Sequence, residues 1–143
     1  MWILFAFGAA LFWGLTYVFR EQVYKHISVY TSLGLTALCV SIIVLGISFF
    51  SGNLIQDLKT LSASREALRY FLLALGVLIV AELCIGFSIT HKNATLAGIV
   101  EISYPIFIAL FSFILFKVRV PLATIVGALI VFVGIGIIYY FNK

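Results

Sequence analysis

Five long apolar stretches constrain this chain more than any other feature of its sequence. They cover residues 2–19, 29–50, 67–90, 94–116 and 121–141. A helix needs about 20 apolar residues to cross the hydrocarbon of a bilayer, and a backbone in lipid must satisfy its own hydrogen bonds. The sequence therefore predicts an all-α fold, a polytopic membrane helix bundle of five transmembrane helices that forms one domain over residues 1–143.

Composition excludes a water-soluble domain. The 143 residues are 64% hydrophobic and 10% charged, whereas soluble domains are about 45–50% apolar and about 25% charged. A soluble globule of this size has too much surface for its volume to hide so much apolar area. The net charge of +4 then favours contacts with anionic lipid headgroups. We therefore expect an integral membrane protein that has membrane lipid, and no nucleic acid, as a partner.

The charges near the ends of the spans do not determine how the chain is oriented in the membrane. The first stretch carries no charge before Arg20 and lacks the positive start of a secretory signal, so we interpret it as a retained span. The basic residues divide five to four between the two sides: Lys59, Arg65, Arg69, Lys117 and Arg119 against Arg20, Lys25, Lys92 and Lys143. The positive-inside rule needs a clear excess. The alternatives are a weak preference for a cytoplasmic amino terminus and dual topology.

An odd number of spans has a consequence for assembly. Two copies of a five-span repeat joined in tandem have opposite orientations, which is the inverted-repeat construction of many secondary transporters. This sequence contains no internal duplication. We therefore expect a partner in inverted orientation, either a second copy or a related half-size subunit. The alternative is a non-transporting subunit that packs in a larger complex.

Two acids, Glu82 and Glu101, lie deep within apolar spans. The turn around Lys92 separates them, and the helical rise puts each roughly 14 Å from that turn. A charged side chain at this depth costs several kcal/mol, and two neighbouring carboxyl groups would be costly to ionise together. This arrangement favours proton coupling or the binding of a cationic substrate. The alternative is a neutral carboxyl group that bonds to Ser, Thr or the backbone between helices.

Pro105 lies four residues after Glu101. Proline has no N–H to bond the carbonyl group of Glu101, so the pattern predicts a kink at this point. Transporters line cavities with helices broken in this way. We therefore expect Glu101 to face a cavity and Pro105 to act as a hinge.

Aromatic and small residues provide further candidates. Trp13, Thr16 and Tyr17 share one face of the first helix, and together with Tyr104 they could form the wall of a substrate pocket. Packing or an interfacial aromatic belt is the alternative. Pairs of small residues four apart allow helices to approach closely in lipid. They are Ala94 with Gly98 and Ala123 with Gly127, and Gly134 extends the second pair.

The sequence holds no catalytic triad, metal-ligand spacing or phosphate-binding loop. We therefore expect no enzymatic activity, no cofactor and no metal.

Two segments resemble the EamA-type drug/metabolite transporters. They are "FAFGAALFWGLTYVFREQVYKHIS" near the start and "NATLAGIVEISYPIFIALFSFILFKVRVPLATIVGALIVFVGIGIIYY" near the end. The resemblance implies a transporter of the prokaryotic cytoplasmic (inner) membrane whose cavity is formed mainly by the first four helices of each repeat. In this scheme Trp13, Gly14, Thr16, Glu101 and Pro105 match cavity or hinge positions. The turn "FKVRVP" departs from the Gly-Glu pair common in the family, which implies an anchoring role for this turn.

The residues and the resemblance together predict a proton-linked secondary transporter or exporter of small metabolites that works as an antiparallel dimer. A small flippase for lipid-linked groups and a non-transporting membrane subunit are the alternatives.

Overall fold

The structure is a computed structural model, and it describes residues 1–141. Lys143, counted above among the basic residues, lies outside the described residues. Within residues 1–141 the chain forms seven α-helices and no strand: α1 (Trp2–Val23), α2 (Val29–Phe50), α3 (Leu54–Ala63), α4 (Arg65–His91), α5 (Ala94–Glu101), α6 (Tyr104–Phe116) and α7 (Leu122–Phe141). Five spans are long and apolar enough to cross a membrane when α5 and α6 are taken together. The predicted five-span, all-α architecture is confirmed.

Short polar turns separate the spans and cap the helices that follow. The Asn93 side chain accepts a hydrogen bond of 2.8 Å from the backbone N–H of Leu96, so Asn93 caps α5. The Ser28 hydroxyl caps α2 in the same way, accepting from the Thr31 N–H at 3.2 Å. These caps satisfy backbone donors at helix starts that have no partner within the helix.

The fourth span is interrupted near its middle. Helix α5 ends at Glu101, and α6 begins at Tyr104 with Pro105 in its first turn. Between them the chain makes a tight turn in which the Ser103 N–H donates to the Val100 carbonyl at 3.2 Å. Because Pro105 cannot donate to the Glu101 carbonyl, the α-helical ladder cannot continue through this turn. The break that the proline predicts is present, and it leaves Glu101 at a helix end.

Helix α3 lies in the polar segment between the second and third apolar stretches, for which the sequence predicts no span. Apolar residues at Leu54, Leu58 and Leu61 recur at helical spacing, and the helix packs against α2 and α4. This pattern is short, and Asp57 and Lys59 interrupt it, so it is much weaker than the pattern of the longer apolar stretches.

Contacts divide the chain into two compact units. One comprises Met1–Val18 and the residues from Lys92 onward, and the other comprises Phe19–His91. The described residues include few buried apolar side chains, and many large ones remain exposed, such as Phe50 at 89%. Exposed apolar surface on this scale indicates contact with lipid or with another protein.

Candidate functional site

In the first unit, Glu101 is hydrogen-bonded to Tyr17. The Tyr17 hydroxyl, on α1, donates to Oε2 of Glu101, the last residue of α5. Both side chains are half-buried. The deep carboxyl group therefore has a specific neutral donor from another helix, and it lies where the fourth span is broken.

Gly98 makes the space for this contact. It lies one turn before Glu101 on the same face of α5, and a Cβ atom added there would lie 3.3 Å from Cδ2 of Tyr17. The phenol ring thus rests against the backbone of α5 at Gly98, which directs its hydroxyl toward the carboxyl group of Glu101. A side chain at position 98 would push the ring away.

The structure brings together some of the predicted pocket residues. The ring of Trp13 meets the ring of Tyr17 edge to face, with 5.8 Å between centroids, so Trp13, Tyr17 and Glu101 form one continuous group. The Thr16 hydroxyl instead donates to the Phe12 carbonyl of its own helix at 2.8 Å. Tyr104 begins α6 with 55% of its surface exposed, and Gly14 faces open space.

In the second unit, Glu82 forms an ion pair with Arg20. Nη1 of Arg20 lies 2.7 Å from Oε2 of Glu82, and the two side chains are 11% and 24% exposed. A charge-assisted hydrogen bond in such a shielded position is strong. The sequence does not predict this pair, because Arg20 directly follows the first apolar stretch and counts among the basic residues at the span ends. The position of Arg20 could have indicated the pair. Helix α1 continues for almost one turn beyond Arg20, to Val23, so Arg20 lies within the helix and not after its end.

Tyr24 lies beside this ion pair at the end of α1. Its hydroxyl is buried and has no hydrogen-bond partner among the described residues. Burial raises the pKa of the Tyr24 phenol above its ordinary value of 10.0, and the charge of Glu82 adds to this rise while that of Arg20 opposes it. The phenol is therefore a neutral group at physiological pH and holds an unused donor.

Gly86 allows the close packing around Tyr24. A Cβ atom at this position would lie 2.5 Å from Cγ1 of Val29 and 3.3 Å from the Tyr24 hydroxyl oxygen. Val29 is 5% exposed. The start of α2 can therefore approach α4 this closely only because position 86 has no side chain.

The two glutamates differ in their electrostatic surroundings. Glu82 faces a guanidinium group, which neutralises it as a carboxylate. Glu101 faces a phenol, which can donate one hydrogen bond but carries no charge. Of these two residues, Glu101 thus has the uncharged partner, and Glu82 has the charged one.

Comparison with known protein families gives a match over nearly the whole chain. Residues 1–140 match the model of the EamA-like transporter family. This range includes all of α1 to α6, both glutamates and nearly all of α7. Searches among curated proteins and among solved structures gave no significant match.

Proposed function

Because the chain belongs to the EamA-like transporter family, we propose that it is a proton-linked secondary transporter of small metabolites in which Glu101 is the coupling residue. The family and the five apolar helices make it an integral membrane protein of a small-molecule transporter class. Proton linkage, the role of Glu101 and the dimeric arrangement are the parts that we propose.

The contact between Tyr17 and Glu101 carries this proposal. A carboxyl group in a bilayer is tolerated only when it is protonated, paired or exposed to water. The Tyr17 hydroxyl stabilises the charged form with one hydrogen bond, which is weaker support than an ion pair. Small changes in access to water or substrate can therefore change the protonation of Glu101, as a coupling residue requires.

The break after Glu101 provides the moving part. Helix α5 ends at Glu101 and α6 begins at Tyr104, so the two halves of the span are joined by a short turn. Transporters place substrate and ion sites at such discontinuous helices. We propose that Pro105 keeps this junction free of helical hydrogen bonds, and that a change of angle there separates Glu101 from Tyr17 when access changes sides.

Arg20 and Glu82 have a different role in this proposal. Their ion pair is compensated within one compact unit, so Glu82 needs no proton to remain in the membrane. We propose that this pair holds α1 against α4 during transport. Glu82 is then a structural residue, and the proton pathway uses Glu101 alone.

A partner in inverted orientation completes the proposed transporter. A Cβ atom added at Gly127 or Gly134 of α7 would meet nothing within 4 Å, so this face of small residues is open to a close helix contact. We propose that a second copy, or a related half-size subunit, packs there in the prokaryotic cytoplasmic membrane. A topology reporter fused to the carboxyl terminus tests the choice, because signals on both sides support an antiparallel homodimer and a signal on one side requires a separate partner.

The test of coupling uses proteoliposomes that contain a pH-sensitive dye. A panel of amino acids, polyamines and quaternary ammonium compounds is added outside, and proton movement is recorded for each. The wild type should couple at least one compound to proton flux, and Glu101→Gln should abolish that flux. Glu66→Gln is the matched control, since it removes one acid from the exposed start of α4 and should preserve it.

Three outcomes would contradict the proposal. Full flux in Glu101→Gln removes the coupling role of this residue. Full flux in the double variant Glu82→Gln/Glu101→Gln removes any carboxylate mechanism. An absence of flux in the wild type, together with correct insertion, favours a non-transporting membrane subunit.

A further inference from the structure

A groove of about 560 Å³ runs between α6 and α7. Its walls are apolar along most of their length, including Leu110 and Phe113 from α6 and Leu129 and Phe132 from α7. These four side chains are between 44% and 59% exposed. The groove is therefore open and apolar and lies within one compact unit. Glu101 and Tyr17 are not among the residues that line it.

Two cations stand at the end of the groove where the chain turns from α6 to α7. Arg119 lines the groove directly, and Nζ of Lys117 lies 6.0 Å from the ring centroid of Phe113, which also lines it. Neither residue forms an ion pair with an acid among the described residues. An apolar groove capped by two uncompensated cations is complementary to an amphipathic anion.

The depth of the groove indicates what kind of amphipathic anion fits. Phe132 lies ten residues into α7, and Ile106 lies ten residues before the end of α6. At the helical rise, both are roughly 15 Å from the turn. One leaflet of a bilayer is also about 15 Å of hydrocarbon, half of a core of about 30 Å. The groove thus matches the reach of an acyl chain whose headgroup lies at the turn.

We propose that the groove between α6 and α7 binds an anionic phospholipid, with its phosphate at Lys117 and Arg119 and an acyl chain along the groove. Basic pockets between transmembrane helices bind such headgroups, and guanidinium groups pair with phosphate oxygens in two-point geometry. Neither Glu101 nor Tyr17 lines the groove, so this site can be tested separately from the proposed coupling residue.

A second copy of the chain is the competing occupant, and the geometry of α7 favours the lipid. The five residues of α7 that line the groove are centred about 130° around the helix from Gly127. The face of small residues suited to close helix contact therefore points away from the groove. Most of the residues that line the groove are bulky, including Phe113, Leu129 and Phe132, and these side chains would hold another helix at a distance.

The test measures lipids retained by the purified full chain. The protein is placed in nanodiscs with equal amounts of phosphatidylglycerol and phosphatidylcholine that carry the same acyl chains, extracted in mild detergent, and examined by native mass spectrometry. The wild type should retain phosphatidylglycerol in preference, by roughly fivefold for each of the two cations. Lys117→Gly/Arg119→Gln should lose this preference.

The substitutions are chosen to keep the fold intact. Lys117 has φ 57° at the end of α6, a left-handed conformation that glycine adopts without strain, so the double variant should fold at least as well as the wild type. Lys25→Gln/Lys92→Gln removes two cations from other turns and should keep the preference. Ala128→Phe fills the groove and should reduce retention of both lipids while far-UV circular dichroism stays unchanged.

Two results would overturn the site. One is an unchanged lipid preference in Lys117→Gly/Arg119→Gln, which would place the retained anionic lipid elsewhere. The other is a dimer that dissociates in Ala128→Phe without any change in lipid retention, which would assign the groove to a second copy.

Discussion

The two glutamates deep within the spans, Glu82 and Glu101, offer a direct comparison between the two compact units. Glu82 meets a guanidinium group on Arg20, whereas Glu101 meets a phenol on Tyr17. Both partners belong to α1, and the two glutamates lie on α4 and α5. The same helix therefore supports one compensated carboxylate and one uncompensated carboxyl group.

In the proposed mechanism, this difference separates the structural role of Glu82 from the coupling role of Glu101. A buried ion pair is strongly destabilised when one partner is removed, because the other charge is left behind. A carboxyl group bonded to a phenol can instead take up a proton and lose only one hydrogen bond. Substitutions at Glu82 should therefore affect stability most, and substitutions at Glu101 should affect transport most.

The largest stability effect is expected for Glu82→Leu. It removes the carboxylate that lies 2.7 Å from the Arg20 guanidinium, a side chain that is only 11% exposed, and should lower the free energy of unfolding by about 3 kcal/mol. Arg20→Leu/Glu82→Leu should recover most of this loss, because an apolar pair replaces an ion pair at little net cost. Unfolding by SDS in mixed micelles measures both, and a single variant as stable as the wild type would refute the structural role of the pair.

Next in size is Gly86→Ala, in the same unit. The added Cβ would lie 2.5 Å from Cγ1 of Val29, and a β-branched valine has little rotameric freedom with which to move aside. We expect a loss of about 1–2 kcal/mol after the better helix propensity of alanine is included. Gly127→Ala is the matched control, because open space surrounds that position, and the better helix propensity of alanine should make the isolated chain more stable by up to about 1 kcal/mol. Equal losses in the two variants would show that the helix approach at Gly86 is not the cause.

A smaller effect is expected at the two tyrosines, and it should differ between the units. Tyr17→Phe removes the hydrogen bond to Glu101 and should cost about 1 kcal/mol. Tyr24→Phe removes a buried hydroxyl that lacks a partner, so it should be neutral or slightly stabilising. The same SDS titration compares them, and a larger loss at Tyr24 would mean that its hydroxyl has an important partner.

The smallest effect is a change of stability with pH that should appear only at high pH. Burial raises the pKa of Tyr24 above 10.0 in the folded chain, so the unfolded chain releases this proton first as the pH rises. The contribution of this proton to the free energy of unfolding is complete below pH 10 and decreases above it. Tyr24→Phe should remove this part of the decrease, and parallel slopes for the two proteins above pH 10 would contradict the assignment.

Local chemistry explains which parts of the structure could be predicted from the sequence. Apolar length fixes the spans, Asn93 fixes the start of α5, and Pro105 predicts the break after Glu101. Each of these signals acts within a few residues of its effect. Glu101 was a candidate as an acid within an apolar span, and Tyr17 as an aromatic residue on the same helix face as Trp13. Neither signal indicates that Glu101 and Tyr17 touch.

The pairings depend on helix rotation, which the sequence did not reveal. A membrane-spanning helix is apolar on all sides, so its pattern does not show which face meets a neighbour. Arg20 and Glu82 are 62 residues apart, and Tyr17 and Glu101 are 84 apart. Only packing at sites such as Gly86 and Gly98 sets the rotations that bring these side chains together.

Labelling by a hydrophobic carbodiimide tests the central difference between the two glutamates most directly, and it requires no knowledge of the substrate. This reagent modifies carboxyl groups that carry a proton in an apolar environment, and peptide mass spectrometry reports the modified residue. Glu101, whose partner is an uncharged phenol, should be labelled, while Glu82, in its ion pair with Arg20, should be protected. Equal labelling of both residues, or labelling of Glu82 alone, would contradict the account.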